Sequence, residues 1–430
     1  MEPISFIGVI VGLTLAIFLI IRKLNPVSAM FLGAITGAIV GGAGLTELFS
    51  YVIVEGAQMV MGTVLRIIAC GVLAGVLIES GAAESIARGI IEKMGEKRAL
   101  LAMAIASMII VAAGVFPPVS VVILAPVALS VSCKANVSKF TALLALSGGA
   151  KAGNIISPNP NTIAAAASFD LPLSEVMIGG FIPALFALIT TIILCNMVQK
   201  KQWASENSPD RADIDFSGMF PPFKKAIIAP ATAISLLMLA PVGSVLGIEL
   251  LALFRLDAFY VLPFGAVAGA IAMGKMRNIV DYTNKGMIRI APIVLMLIGA
   301  GALTSLILHS DFPDIILMAI YTMGIPEMYL APISGTIMGT ATGSATASVM
   351  ITSNVFSHIL ISAGVPALSA AVTINVSANF LDIVPHGGYF LASQDSMKFS
   401  MAERLRLIPY EAVVGGVMTV AAVIMHYFMI

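Results

Sequence analysis

Charge is scarce in this sequence. Only 11% of its 430 residues are Asp, Glu, Lys or Arg, against roughly 25% in soluble domains, too few to clothe a water-soluble globule of this length. The 23 basic residues balance the 23 acidic ones, so no basic surface is available for nucleic acid. Cys70, Cys133 and Cys195 stand far apart, in or beside apolar segments. They suit small packing positions and form neither a disulfide framework nor a metal-binding spacing. His309, His358, His386 and His426 are scattered, without the clustered ligands of a membrane metalloenzyme. Neither catalysis nor a cofactor is expected.

Apolar residues fill the space that charge leaves. They make up 59% of the chain, mean hydropathy is +1.02, and a spanning helix needs roughly 20 mostly apolar residues. Apolar runs predict helices near 4–21, 27–45, 57–80, 174–197, 224–247, 258–273, 288–309 and 408–428. The first run is too long for the core of a cleaved signal and has no clear small-residue cleavage site after it, so a retained helix is expected. The one long polar stretch, around 199–223, contains Trp203, Pro209, Asp210, Arg211 and Asp213 and reads as a cytoplasmic linker between halves 1–198 and 224–430.

Those halves answer one another in order. Gly114 to Ser120 corresponds to Gly339 to Thr346, Asn154 to Pro160 corresponds to Asn379 to Pro385, and Ser174, Ile182 and Pro183 correspond to Ser400, Ile408 and Pro409. The near-constant offset argues for duplication. Basic residues, which collect in cytoplasmic loops, orient the copies oppositely. Arg88, Lys93, Lys97 and Arg98 follow one helix, whereas the corresponding 311–329 has none; 169–175 has none, whereas its counterpart holds Lys398, Arg404 and Arg406. The count closes if 99–132 and 326–357 are re-entrant hairpins and 140–168 and 367–391 are spans broken at their centres. The expected fold is an all-α polytopic membrane protein of about ten transmembrane helices plus two hairpins, in two inverted repeats, with both termini outside.

Irregular backbone at membrane depth survives only where it lines a cavity or is buried in protein. The hairpin tips and the breaks are rich in Gly, Pro, Ser, Thr and Asn. They make Ser120, Asn154, Ser157, Asn159, Asn161, Thr162, Thr342, Gly343, Ser344, Thr346 and Asn379 candidate substrate-binding residues. Half-helix N-termini offer unpaired N–H groups and a positive dipole end to a carboxylate, so a small organic or polyhydroxy acid fits. Ionisable residues at depth mark ion pathways. Asp382 and His386 are the candidate proton carriers, and Lys151 is a candidate partner for Asp382 or for the substrate carboxylate. Carbonyl, Asn and Ser oxygens also suit Na⁺, which leaves the coupling ion open. A channel is disfavoured, because the broken segments sit inside hairpins and do not form a continuous charged or carbonyl ring.

In these segments the chain resembles the gluconate permease family of proton symporters, within the wider ion-transporter superfamily. Gly343-Ser344-Ala345-Thr346 is similar to the family's glycine–serine–alanine–threonine stretch. Ser157 to Ala166 is similar to its Pro-Pro-His-Pro-Gly-Pro segment, and Ser377 to Phe390 resembles its Ser-His-Val-Asn-Asp-Ser segment. Asn159 stands where the family often has His, and the acid in the third segment is differently spaced. The resemblance implies uptake of sugar acids, other hydroxy acids or a small amino acid such as D-serine, driven by a proton gradient across a bacterial inner membrane. It also implies a homodimer in membrane lipid and an elevator mechanism, with spans 1, 2, 6 and 7 as scaffold.

Overall fold

Side-chain caps start several of the helices, and left-handed residues end or separate a few of them. The computed structural model describes residues 4–22, 24–199, 220–323, 326–385 and 387–429. The linker expected around 199–223 falls largely outside them, as does His386. Among the described residues the structure is all helical, apart from one isolated bridge between Ile4 and Ser310.

In the first half, Ser5 caps α1 (Phe6–Ile21), and Asn25, followed by Pro26, starts α2 (Pro26–Val40). Then come α3 (Gly56–Glu79) and α4 (Ala82–Met94), separated by Gly81 at φ +74°. A helical pair follows: α5 (Ala99–Ala112) turns at Gly114, φ +106°, into α6 (Pro117–Ala135), which ends at the left-handed Asn136. Ser138 caps α7 (Lys139–Asn154), the chain breaks at 155–159, and α8 (Pro160–Ser168) resumes beneath the Asn159 cap. The half closes with α9 (Phe181–Gln199).

The second half runs through α10 (Ile228–Leu237), α11 (Ala258–Ala272), capped by Asp257, and the long α12 (Ile279–Leu308). Another helical pair, α13 (Leu330–Thr342) and α14 (Ala345–Ser362), turns at Gly343, φ +61°. After α15 (Ala367–Ser377) the backbone is irregular until α16 (Gly388–Ser396); α17 (Met401–Leu405) and α18 (Ile408–Ile424) complete the chain.

Among the described residues, six helical stretches are long and apolar enough to cross a membrane: Leu45–Glu79, Pro117–Ala135, Leu173–Gln199, Met276–Leu308, Ala345–Ser362 and Met401–Phe428. A seventh appears if Phe223–Leu237 and Leu239–Leu246, bent by 52°, count as one. This is fewer than the ten expected: apolar helices such as the 15-residue α2 and α11 are short, and two of the six, Pro117–Ala135 and Ala345–Ser362, come from the segments expected to be re-entrant hairpins. At 1.5 Å rise per residue, 15 residues cover only about 22 Å.

Small residues set the distances between helices. A Cβ on Gly75 of α3 would come within 2.3 Å of the Tyr282 carbonyl oxygen on α12, and one on Gly286 within 2.2 Å of the Gly71 carbonyl oxygen. The same device seats α7. Cβ atoms on Gly149 and Gly153 would strike the α5 carbonyls of Ala104 and Met108, and one on Gly148 would strike Thr191 of α9. Every residue from Phe140 to Asn154 is buried as a result. Partly buried pairs occur elsewhere: Arg88 with Glu84 at 2.6 Å, and Glu79 with Lys285 and Arg289 at 3.1 and 2.6 Å. Arg66, in the middle of α3, pairs with Asp257 at 2.7 Å. Burial pushes the Asp257 carboxyl up, but hydrogen bonds from Arg66 and from the Phe259 N–H outweigh it and hold it below the usual carboxylate range.

Two substitutions on α3 separate these effects. Gly75→Val is expected to cost about 1–3 kcal/mol through overpacking. Gly62→Ala, whose new methyl would meet nothing closer than Arg66 at 3.8 Å, should gain about 0.5–1 kcal/mol of helix stability. Thermal unfolding in detergent measures both, and equal melting temperatures would show that Gly75 does not set the α3–α12 distance.

Candidate functional site

The two irregular segments meet. Asn159 organises the first: its Oδ1 accepts from the N–H groups of Asn161 and Thr162 at 3.0 and 3.1 Å, while its Nδ2 donates to the carbonyl and side-chain oxygens of Asn154 at 2.9 and 2.7 Å. Asn154 in turn donates to Oδ1 of Asn379, at 2.7 Å, in the second segment. One turn before Asn154, Lys151 donates to the Asn379 carbonyl oxygen and to Asp382 Oδ1, the latter at 2.5 Å. The Lys151 side chain is 5% exposed and that of Asp382 13%, so the pair is nearly enclosed.

A cavity of about 180 Å³ opens beside it. Ser147, Ala150, Lys151 and Asn154 of α7 form one wall. Residues Thr342 to Thr346, at the turn and the start of α14, form another, with Asn379, Asp382 and Ile383 from the second irregular segment. Gly388 and Tyr389 of α16 and Pro117 and Pro118 of α6 complete the lining.

Of the residues expected at a substrate site, Asn154, Thr342, Gly343, Ser344, Thr346 and Asn379 line this cavity, together with Lys151 and Asp382. Ser120, Ser157, Asn159, Asn161 and Thr162 do not. The Ser120 hydroxyl donates back to the Pro117 carbonyl oxygen at 2.8 Å. Asn159 and Thr162 serve the α8 cap, and Asn161 accepts from the Thr346 hydroxyl at 2.7 Å, supporting the lining from behind. Ser157 is buried, and its hydroxyl has no partner among the described residues. A cap must face its own helix, so an Asn before Pro is turned away from the space that the break creates.

Charge next to the cavity departs further from the sequence reading. Arg404, counted there with Lys398 and Arg406 as a loop cation, is buried: it is 0% exposed and its partner Glu411 is 1% exposed. Two hydrogen bonds join the pair, Nη1 to Oε2 at 2.7 Å and Nη2 to Oε1 at 3.0 Å. Nε donates to Ser393 at 2.8 Å, and the guanidinium lies over the Phe390 ring at 4.6 Å. Ser147, one turn from Lys151 on the same face of α7, donates to Glu411 Oε1 and ties this pair to the cavity. Sequence reasoning missed Glu411, although an acid inside the apolar run 408–424 is itself a warning. Tyr389 falls inside the expected broken span 367–391 but is not among the residues singled out there.

These features define a class: a multi-pass membrane permease whose polar cavity forms where helices break. The chain belongs to the GntP permease family; the family model described as GntP family permease matches residues 4–429. It is 44% identical over 422 residues to an uncharacterized transporter of Haemophilus influenzae, covering 98% of each chain. It is 26% identical to a gluconate permease of Bacillus subtilis over 337 residues, covering 71% of this chain and 73% of that one. In fold it is similar to the crystal structure of the Alcanivorax borkumensis YdaH transporter, described as having an unusual topology, with a TM-score of 0.65, 16% identity, and coverage of 88% of this chain and 87% of that one.

Removing one member of a buried ion pair strands the other. Arg404→Met should therefore cost about 3–5 kcal/mol, whereas the double change Arg404→Met/Glu411→Leu should recover most of that loss. Melting temperatures of the single and double variants in detergent check this, and strictly additive losses would mean the two side chains are not coupled.

Proposed function

We propose that this chain is a secondary active transporter of the bacterial inner membrane that carries a small organic anion, gluconate or a related sugar or hydroxy acid, in symport with protons. The Lys151–Asp382 pair at the cavity wall carries this reading. With Asp382 charged, the pair is neutral. A proton on Asp382 leaves Lys151 as an uncompensated cation beside the cavity, and an anion entering then restores neutrality. Loading of proton and anion is thereby linked, because either alone leaves net charge in a low-dielectric site. The name of the Bacillus subtilis relative, a gluconate permease, supports the substrate class.

In this reading the chain forms about ten spans in two inverted repeats. The pairs α5–α6 and α13–α14 are re-entrant hairpins, and α7–α8 and α15–α16 are broken spans. An elevator motion carries these elements past a scaffold of α1, α2, α10 and α11, as a homodimer in lipid.

Proteoliposomes test the coupling. An inward proton gradient should drive accumulation of labelled D-gluconate, and Asp382→Asn should abolish accumulation while retaining exchange of internal for external substrate. Accumulation by that variant would remove Asp382 from the coupling role, and uptake that follows sodium and ignores pH would replace the proton as the coupling ion.

A further inference from the structure

The helix N-termini around the cavity differ in what they offer. α6 begins with Pro117 and Pro118, which line the cavity but carry no N–H. α8 begins with Pro160, and its next two N–H groups are taken by Asn159; none of its residues lines the cavity. The second half is the reverse. Ser344 takes the N–H of Ala347, which leaves those of Ala345 and Thr346 without an acceptor among the described residues, and both residues line the cavity. Gly387, the cap of α16, has no side chain to offer, and Gly388 and Tyr389 follow it along the lining. The two ends are brought together by a close approach: a Cβ on Gly387 would lie 2.6 Å from the Gly343 carbonyl oxygen. Two positive helix ends, from helices of 18 and 9 residues, thus converge on one space.

A second observation also points to a ligand. Tyr389 is 8% exposed. Its hydroxyl is buried and has no hydrogen-bond partner among the described residues. Ser147 has spent its proton on Glu411, which Arg404 holds in place. The Ser147 oxygen can therefore only accept, and a hydroxyl satisfies it where a second carboxylate does not. Lys151 is already committed to Asp382 and the Asn379 carbonyl.

We infer that the N-termini of α14 and α16 hold the carboxylate of the transported acid, and that Ser147 and Tyr389 read a hydroxyl on the same molecule. Arg404 and Glu411 are positioning residues that make Ser147 an acceptor, and Lys151 acts through space. This assignment rests on the organic-anion reading above and divides recognition unequally between the two halves of the chain.

Calorimetric titration of the purified full chain in detergent tests it, with D-gluconate, 2-deoxy-D-gluconate, 3-deoxy-D-gluconate and succinate as probes. The unaltered chain should bind D-gluconate about tenfold tighter than at least one deoxy acid, and succinate most weakly. Ser147→Ala and Tyr389→Phe should each erase most of that preference. Ala345→Pro removes one N–H at a position where helices accept proline, and Ser344, at φ −151° and ψ 117°, already has the extended backbone that a following proline requires. This variant should weaken gluconate and deoxy acids alike by about tenfold while keeping the preference. If gluconate binds but neither Ser147→Ala nor Tyr389→Phe changes the preference, the hydroxyl assignment falls and the transport reading stands. Unchanged affinity in Ala345→Pro overturns the carboxylate assignment. Binding of none of the four acids overturns both this assignment and the substrate class.

Discussion

Lys151 is the point at which the two halves of the chain become one site. Its amine reaches from α7 to the backbone and to the carboxylate of a segment more than two hundred residues away. A lysine this enclosed is tolerable only with an anion and hydrogen-bond acceptors around it. The pair therefore dictates that the second irregular segment, Asn379 included, stays packed against α7, and the cavity is the space left beside that contact.

That contact depends in turn on glycine. α7 is buried along nearly its whole length because Gly148, Gly149 and Gly153 let α5 and α9 approach to backbone distance. With α7 held from behind, its polar face is directed at the second half, and Ser147 and Lys151, a turn apart, each find an acid there. Two buried ion pairs hang from one helical face, one at the cavity wall and one behind it. The deeper pair, Arg404 with Glu411, fixes the direction of the Ser147 hydroxyl and so gives a chemical sign to that part of the lining.

The hairpin turns and helix breaks were legible along the chain because each is written in local chemistry. Gly114 and Gly343 adopt positive φ, Pro117 and Pro160 sit where a helix can begin, and Asn159 and Ser344 are caps. The same local chemistry places some of the expected site residues away from the cavity. Asn159 and Thr162 are polar because a helix must start there, and that role turns them away from the cavity. Arg404 shows the opposite error. Read by proximity to Lys398 and Arg406 it is a loop charge, yet Glu411, two turns further on, draws it inside.

Membrane residence, an all-helical architecture and the approximate location of the polar breaks follow from composition and short-range pattern, since bilayer thickness, backbone satisfaction and capping act over a few turns at most. Which polar side chains share a cavity is a different matter. Ser147 with Glu411, Lys151 with Asp382 and the ends of α14 and α16 are joined across more than forty to more than two hundred residues. Folding alone brings them together, because nothing in the local run of residues records which faces will pack.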